Sequence, residues 1–531
     1  MDRLEGDTEI VGRRVSARSA LLIIALLAVC GRSALASDIG ETDRALLARS
    51  LTDASAADLV RASDLPFCRI DATYDRDLHR ITARQSLRMV NRSDQPLSDL
   101  AFHTYANAVV YHGASMTITS ATVDGTSARC EEVRERTAVL VTLPGPLAPG
   151  AQADIVLAFT CTLSTTGGNY GLLASNDAVD CLYGWHPEPA VRRDGRWQLH
   201  PVGEQGDPTQ NEMFHAVVSL TLPSGLQLMN SGSQVGDSAG ADGSRTVVVA
   251  SAFTRNVVLV IGSGFESLKK QVGDTEVVSW FHPDDQAGGK SALDTAADSL
   301  AFFEEHLGLY PYRDLDVVEV RLGPNVGGME STGLVLIERG SYAAMRMAGD
   351  TAGMETMPSF MMATIVSHEV AHQWWYNLVG SDSFLYPWVD ESLTNWTGCW
   401  YLEQRGGPIS RAGGWQMCYM ECASVPRART IPINLAADAY SLLAYGGIVY
   451  GRGALMYQAL RKRVGDDAFV AFLRGYHERF RYGYVRESDL LATVGEALGE
   501  DIAAWFRATW IEGDGLTQRD IMEASKPLPR R

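Results

Sequence analysis

The feature that most constrains this chain is a pattern of histidines and glutamates between residues 368 and 391. An H-E-x-x-H run begins at His368 and ends at His372, with Glu369 second in it, and Glu391 follows after eighteen further residues. On a helix, His368 and His372 lie one turn apart on one face, so both imidazoles can bind one Zn²⁺ at about 2.0–2.1 Å. Glu391 supplies a third ligand from a following helix. Three protein ligands leave the fourth position open, which is typical of a catalytic zinc site.

The alternative interpretation of this pattern is an amphipathic helix whose two histidines bind no metal. The run from Ser359 to His368 is largely apolar, which predicts a buried helix. Two unpartnered histidines in a buried helix would be costly, and a metal removes that cost. Near Glu391, Pro387 favours the start of a second helix, which a Gly-Gly pair ends near Arg405. Both halves of the pattern are therefore in place, and they favour the zinc site.

The position of Glu369 predicts the chemistry of such a site. Zinc lowers the pKa of its bound water and polarises the carbonyl of the scissile bond. Glu369 lies off the face that carries the two histidines, so it can take the proton of that water as general base and pass it to the leaving nitrogen. The carbonyl oxygen gains negative charge in this step, so a further hydrogen-bond donor is expected to face it.

Two more segments, taken with the zinc pattern, resemble the gluzincin aminopeptidases, the family of aminopeptidase N and leukotriene hydrolase. Residues 327–331 read Gly-Gly-Met-Glu-Ser and are similar to the family's G-x-M-E-N segment, and residues 445–453 are similar to its Y-x-K-G segment. The resemblance implies that Glu330 binds the free α-amine of a peptide and that Tyr450 donates a hydrogen bond to the oxyanion. The other cleft residues implied by the first segment are Gly327, Gly328 and Met329.

The chain departs from the family pattern in several places. Ser331 replaces the usual Asn, Arg452 replaces the usual Lys, and an insertion rich in Met and Gly, 340–358, precedes the zinc helix. The family also uses a second acid upstream for the amine. Residues 185–189 read Trp-His-Pro-Glu-Pro and resemble that segment, which suggests Glu188; an ordinary loop acid is the alternative.

The pattern of apolar residues predicts an α+β multidomain chain. A short helical lead-in at 37–64, with its helix at 41–62, precedes an N-terminal antiparallel β saddle or sandwich at 65–265. A thermolysin-like, mostly helical catalytic domain follows at 266–515, and a polar tail at 516–531. The resemblance implies a short family member without the C-terminal helical domain. Strand-like runs in the β domain lie at 81–90, 138–141, 153–161, 216–222, 246–251 and 257–262.

The first 36 residues predict an export signal. Basic residues at 13, 14 and 18 precede an apolar run at 20–29, and a small-residue cleavage site lies before Ser37. We therefore expect a periplasmic or secreted protein with no transmembrane anchor after signal removal. A retained anchor helix, or a lipid attached through Cys30, is the alternative. An exported chain can form disulfides, and seven cysteines follow the cleavage site, so at least one thiol is expected to stay free or to pair elsewhere.

The net charge and the predicted zinc site limit the kinds of molecule that this protein is expected to bind. The formal net charge of −18 argues against nucleic acid and anionic membrane surfaces. The leading interpretation is an exported zinc aminopeptidase that acts on peptides with a free N-terminus. Without the family's C-terminal helical domain its cleft is expected to be more open, which allows a homo-oligomer to form over it. A zinc endopeptidase on the same fold would need the zinc residues and Glu369 but not Glu330. A catalytically inactive peptide-binding scaffold is the third possibility.

Overall fold

The computed structural model describes residues 39–167, 169–323, 326–349 and 355–528. The expected export signal, Cys30 included, lies outside the described residues. The predicted lead-in helix is broken into two short helices, α1 (Glu41–Ala48) and α2 (Asp58–Arg61). The break occurs because Ser50 donates its hydroxyl to the carbonyl of Leu47 at 2.8 Å, and the next residues turn towards the catalytic half, where the amide of Thr52 donates to the carbonyl of Pro311 at 2.9 Å.

The N-terminal half is built from β-sheets, as its alternating sequence predicts. An eight-stranded sheet has the order β16-β17-β14-β1-β2-β8-β4-β5, and two four-stranded sheets have the orders β15-β18-β10-β9 and β11-β3-β7-β6. The eight-stranded sheet is not wholly antiparallel, since β1 and β14 run parallel. The strands are β1 Phe67–Asp75, β2 Arg80–Val90, β3 Leu97–His103, β4 Ser115–Val123, β5 Thr126–Ser127, β6 Cys130–Val133, β7 Ala138–Leu147, β8 Gln152–Thr162, β9 Ala174–Asn176, β10 Val179–Leu182, β11 Glu188–Pro189, β12 Arg192–Arg193, β13 Arg196–Trp197, β14 Phe214–Pro223, β15 Gln227–Asn230, β16 Ser233–Ala239, β17 Ser244–Thr254 and β18 Leu259–Gly262.

A five-stranded sheet opens the second half and carries one side of the cleft. Its order is β19-β20-β21-β23-β22; β20, β21 and β23 run parallel, and β22 is an antiparallel edge strand. Because β22 has a neighbour on one side only, its residues face the cleft. The strands are β19 Glu266–Val272, β20 Thr275–Phe281, β21 Asp314–Val320, β22 Gly328–Ser331 and β23 Leu334–Glu338; a small pair, β24 Val379–Ser381 and β25 Gly483–Val485, lies apart from it.

Helices make up most of the remainder, which fits the predicted α+β class. Helix α5, which carries the predicted ligand His368, packs against α3, α4 and α6, and α6 packs in turn against α7 and α9. Residues 446–464 are helical, but the first turns, Gly446–Arg452, are π-helical and not α-helical. The helices are α3 Gln286–Leu307, α4 Arg339–Ala348, α5 Met357–Ala371, α6 Glu391–Arg405, α7 Pro408–Ser424, α8 Leu442–Tyr445, α9 Gly453–Val464, α10 Asp466–Phe480, α11 Glu487–Leu498, α12 Glu500–Trp505 and α13 Gln518–Ala524.

Two segments for which the sequence predicted no regular structure, 340–358 and 516–531, contain helices. The insertion 340–358 is helical at its start as α4, and residues 350–354 of it lie outside the described part. The stretch 516–531 is not simply a polar tail, because α13 within it packs against α9 and buries Ile521 and Ala524. Among the described helices, none combines the length and the apolar character that a membrane span needs. The seven cysteines in the described ranges are free thiols.

Candidate metal centre and active site

The structure brings His368, His372 and Glu391 together at one point. Helix α5 carries His368 and is capped at its C-terminus by His372, while Glu391 is the first residue of α6. Nε2 of His368 lies 3.3 Å from Oε2 of Glu391, and Nε2 of His372 lies 3.4 Å from the same oxygen. The three ligand atoms all fall within 4.8 Å of one another. The sequence-predicted ligand set therefore converges on one small volume.

The chemistry of this donor set fits zinc. Oε2 of Glu391 is buried and has no hydrogen-bond partner among the described residues, although both imidazole nitrogens face it. Burial alone would raise the pKa of Glu391, but the nearby His368 and His372 outweigh burial and hold that pKa well below its usual range. Two imidazole nitrogens and one ionised carboxylate form the His₂Glu ligand type that zinc takes in catalytic sites.

Contacts behind the ligands fix their orientation. Nδ1 of His372 lies 3.3 Å from the carbonyl oxygen of Trp375 and 3.3 Å from the hydroxyl of Thr394. Asn377 donates to the carbonyl of His372 at 3.0 Å. A hydrogen bond at the far nitrogen of an imidazole sets the ring's tautomer and direction, so Nε2 of His372 is held towards the centre.

Glu369 and Glu330 face each other beside the metal ligands. With His372, their ligand atoms form a second group within 4.8 Å. Glu330 comes from the edge strand β22, and Oε1 of Glu330 and Oε2 of Glu369 have no partner among the described residues. Burial raises the pKa of Glu369 to about 8 and that of Glu330 to about 7, and the negative charge of Glu391 adds to both shifts. The structure thus places the predicted base and the predicted amine-binding acid together.

The glycines predicted for the cleft explain how β22 approaches α5 so closely. A Cβ atom at Gly328 would lie 2.5 Å from Oε1 of Glu369, and one at Gly327 would lie 3.1 Å from Cδ1 of Ile365. No side chain fits at residue 328 without displacing Glu369. Gly327, Gly328 and Met329 all line the cavity in front of the metal ligands, which has a volume of about 520 Å³.

Tyr450 reaches the metal centre from the π-helical segment. Its hydroxyl donates to Oε1 of Glu391, and its ring stacks on His368 with 5.6 Å between centroids. Asn395 on α6 donates to the backbone carbonyl of Tyr450 at 3.1 Å, which fixes this turn. π-Helical turns are rare in proteins, but those that occur are often found at functional sites, where they redirect a side chain. Tyr445 also lines the cavity, with its ring 5.8 Å from that of Tyr450.

The acid suggested by the upstream segment lies elsewhere. Glu188 is buried in the pairing of β11 with β3, accepts a hydrogen bond from Asn211, and is not among the residues that line the cavity. Asp207 does line it, and Oδ2 of Asp207 has no partner among the described residues. Burial and then the negative charge of Glu330 raise the pKa of Asp207 well above its usual value. Sequence reasoning missed Asp207 because Gly-Asp-Pro has the composition of an ordinary turn.

Comparison with known proteins agrees with this geometry. The model of the peptidase family M1 domain matches residues 291–510, which include both histidines, Glu391, Glu330 and Tyr450. Residues 291–510 belong to peptidase family M1. This M1 domain includes every predicted zinc ligand, the predicted base, Glu330 and Tyr450, whereas Glu188 and Asp207 lie upstream of it.

Curated relatives share this M1 domain at low identity. Aminopeptidase 2, mitochondrial, of Saccharomyces cerevisiae is 27% identical over 230 residues, which are 41% of this chain and 23% of the yeast protein. Aminopeptidase N of Lactococcus lactis subsp. lactis is 28% identical over 244 residues, 42% of this chain and 26% of the relative. The chain therefore matches about a quarter of the length of these relatives.

Solved structures resemble the chain over most of its length. An M1 zinc metallopeptidase from Deinococcus radiodurans has a TM-score of 0.65 at 19% identity and covers 88% of this chain and 96% of its own. A mutant of an M1 zinc metallopeptidase from the same organism, bound to a Tyr-Ser-Ala substrate, has a TM-score of 0.61 at 19% identity and covers 86% of this chain and 95% of its own. These matches show that the β half and the M1 domain form the fold of that enzyme.

Proposed function

We propose that this chain is a zinc-dependent aminopeptidase that removes N-terminal residues from peptides. The observation that carries the proposal is the Glu330 carboxylate, which is buried, has an unpartnered oxygen among the described residues, and lies beside Glu369 and His372. An ammonium group satisfies such a carboxylate by charge and by hydrogen bonding. A free α-amine held there places the first peptide bond of a substrate at the metal ligands. The aminopeptidase relatives and the peptide-bound neighbour support the same function.

His368, His372 and Glu391 are the residues that would hold zinc. When bound, the ion supplies a polarised scissile carbonyl and a water of lowered pKa. The three residues come from the end of α5 and the start of α6, two packed helices, so they form a preformed site rather than a flexible loop. A single ion per chain follows from the single volume on which the three ligand atoms converge.

Glu369 moves the proton in this proposal. Its carboxylate receives a proton from the attacking water and gives it to the nitrogen of the leaving amine. Burial favours the protonated form that this transfer produces, while the neighbouring charge of His372 favours the ionised form that begins it. The carboxylate of Glu369 lies against the backbone of Gly328, in the space that a Cβ atom there would need. This contact keeps the carboxylate on the β22 side of the cavity.

Tyr450 stabilises the oxygen that gains charge. Its hydroxyl reaches Oε1 of Glu391, so it lies within hydrogen-bond reach of the metal-ligand group and can donate instead to a substrate oxygen bound there. The ring is held by stacking on His368 and by the turn that Asn395 fixes. A donor already in place costs no rearrangement when the charge develops.

Asp207 is proposed as the second acid for the α-amine, in place of Glu188. Asp207 shares the cavity with Glu330, and the charge of Glu330 raises its pKa, which requires the two carboxylates to lie near one another. Two carboxylates around one ammonium group bind it more tightly and orient it better than one. Glu188 instead satisfies Asn211 within the β half and serves that packing.

The test is hydrolysis of aminoacyl-naphthylamides beside their N-acetylated twins, with and without a chelator. We expect the purified protein to cleave the free-amine compounds alone and to stop when the chelator is added. Glu330→Ala should reduce that selectivity, because the amine loses its carboxylate. Cleavage of the acetylated compounds by the unaltered protein would replace the proposal with an endopeptidase. Zinc binding without cleavage of any compound would favour a peptide-binding scaffold.

Export is a separate part of the proposal. The basic residues, apolar run and small-residue site of the first 36 residues support a cleaved signal and a periplasmic or secreted location. N-terminal sequencing of protein recovered from its native host tests it. A mature chain that begins at Ser37 is expected, and an intact N-terminus at Met1 would contradict export by cleavage.

A further inference from the structure

The cavity also contains a carboxylate that the proposed reaction does not use. Glu421 lies on α7 and lines the cavity, and its Oε2 is buried without a hydrogen-bond partner among the described residues. Burial raises the pKa of Glu421 to about 7, and among the described groups no cation offsets that shift. Arg452 lies on the packed neighbouring segment, but its Nη1 donates to the carbonyl of Ala428, and its charge is not among the causes that set the pKa of Glu421. Glu421 is therefore a carboxyl group in the cleft without a counterion among the described groups.

Two glycines fix Glu421 beside Tyr450. A Cβ atom at Gly451 would lie 3.0 Å from Cβ of Glu421 and 2.8 Å from the carbonyl oxygen of Cys418. A Cβ atom at Gly447 would lie 2.6 Å from the carbonyl oxygen of Glu421. The π-helical segment and α7 thus touch along their backbones on both sides of Tyr450. A side chain at either glycine would force the π-helical segment and α7 apart.

The position of Glu421 relative to Glu330 indicates which part of a peptide it meets. Glu330, Glu369 and Asp207 form one electrostatic group, in which the charge of one raises the pKa of another. No such contribution reaches Glu421. A peptide whose amine binds at Glu330 has its first carbonyl at the metal ligands and Tyr450. Beyond that carbonyl the peptide continues by about 3.3 Å per residue, and α7 packs against the segment that carries Tyr450.

The surroundings of Glu421 suit a long basic side chain. Met361 on α5 and Met417, one helical turn before Glu421 on α7, line the same cavity. Flexible thioether side chains adapt to the methylene stem of Lys or Arg, while the cationic end of that stem needs a carboxylate. Two thioether side chains beside a carboxyl group without a counterion favour a cation on an apolar stem over a neutral apolar group.

We propose that Glu421 binds the basic side chain of the residue that follows the scissile bond, so that the preferred substrates carry Lys or Arg at their second position. The inference rests on the proposed aminopeptidase function and names its substrate class. It assigns Glu421 to substrate binding and gives it no part in proton transfer or metal binding.

The experiment compares cleavage of Ala-Lys-Ala with cleavage of Ala-norleucine-Ala, because norleucine keeps the alkyl stem and lacks the charge. The unaltered protein should show a kcat/KM about tenfold higher for the lysine peptide, from one charge-assisted contact in a partly open site. Glu421→Gln should bring the ratio of the two peptides close to one. Asp438→Asn, a matched change at an exposed acid, should leave the ratio as it is in the unaltered protein.

Each other outcome overturns the inference in a recognisable way. Equal cleavage of the two peptides by the unaltered protein contradicts it without any variant, and so does a preference that persists in Glu421→Gln. A second pair of peptides, Lys-Ala-Ala and norleucine-Ala-Ala, places the same side chains at the first position. If Glu421→Gln changes the ratio of kcat/KM for this pair alone, Glu421 binds the first side chain and not the second. Cleavage of aminoacyl-naphthylamides without a lysine preference defeats this inference alone. No cleavage of any compound defeats the proposed function as well.

Discussion

Helix α6 has a buried glutamate at each end, and the two differ in whether both carboxylate oxygens have hydrogen-bond partners. At the C-terminal end, Glu403 is fully satisfied: Arg461 donates to Oε1 at 2.8 Å and Trp415 donates to Oε2 at 2.7 Å. At the N-terminal end, Oε2 of Glu391 has no hydrogen-bond partner among the described residues, although two imidazoles lie within 3.4 Å. Both residues are nearly inaccessible to solvent. One helix therefore carries one completed carboxylate and one incomplete one.

The comparison separates structure from function in this chain. A buried carboxylate is costly unless it is paired, so the packing around Glu403 accounts for its charge within the protein. The packing around Glu391, Glu369, Glu330 and Glu421 leaves an oxygen of each without a partner among the described residues. A ligand, whether a dication or an ammonium group, is what completes such groups. These four carboxylates all line one cavity.

The largest effect is expected from Glu391→Gln, which removes the charge that completes the zinc ligands. Loss of a residue that only hydrogen-bonds to a metal ligand lowers metal affinity by roughly 10–100-fold. Glu391→Gln should lower the affinity for zinc by more than this, because it removes a ligand itself. Activity should fall with it. Zinc content after dialysis, measured by atomic absorption, checks this, and zinc bound as tightly as in the unaltered protein would remove Glu391 from the ligand set.

Glu369→Gln keeps the shape of the side chain but removes the proton acceptor. We expect kcat to fall by about 10²–10⁴-fold while zinc content stays at one ion per chain, because general-base catalysis is lost and the ligands are untouched. Steady-state kinetics on a free-amine naphthylamide measures the change. Turnover near that of the unaltered protein would show that another group accepts the proton.

Glu403→Gln tests the completed end of the helix. Removing one partner of a buried pair usually costs about 3–5 kcal/mol of the free energy of unfolding, and about 3 kcal/mol is expected here because Arg461 keeps Asp466 as a second partner. Urea unfolding followed by circular dichroism measures it. Zinc content should not change, since about eighteen ångströms of helix separate residue 403 from residue 391. Loss of zinc with unchanged stability would reverse the roles assigned to the two glutamates.

Tyr450→Phe should lower kcat less than Glu369→Gln does. Removing one donor to a developing oxyanion lowers kcat by about 10²–10³-fold, with little change in KM because the bond strengthens in the transition state. The same naphthylamide kinetics separates kcat from KM. A rise in KM with kcat unchanged would mean that Tyr450 binds substrate and does not stabilise the oxyanion.

The sequence allowed good prediction where the chemistry is local along the chain. His368, Glu369 and His372 lie within two turns of one helix, and Glu391 begins the next, so spacing alone places them together. Most of the predicted strands and helices are confirmed for the same reason, since alternation and helical periodicity are local patterns.

Features that depend on long-range packing were not predictable in this way. Asp207 reaches the cavity through a loop of the β half, and Glu421 reaches it because two glycines let α7 touch the π-helical segment. The π-helical turn itself reads as ordinary helix in the sequence. The break after Ala48 depends on the contact of Thr52 with Pro311, about 260 residues away in the chain. Glu188 was a misleading candidate because a short motif carries no information about where its acid lies, here in the pairing of β11 with β3, where Asn211 donates to it.

The central claim is that the incomplete carboxylates form a zinc-dependent site, and a zinc titration tests it most directly. Zinc is added stepwise to chelator-treated protein while binding is followed by calorimetry and hydrolysis of a free-amine naphthylamide is followed in parallel, with Glu391→Gln as the control. We predict that activity rises in proportion to bound zinc and levels off at one ion per chain, and that the control gains neither. Activity that survives the chelator, or equal zinc binding by the Glu391→Gln control, would contradict the account.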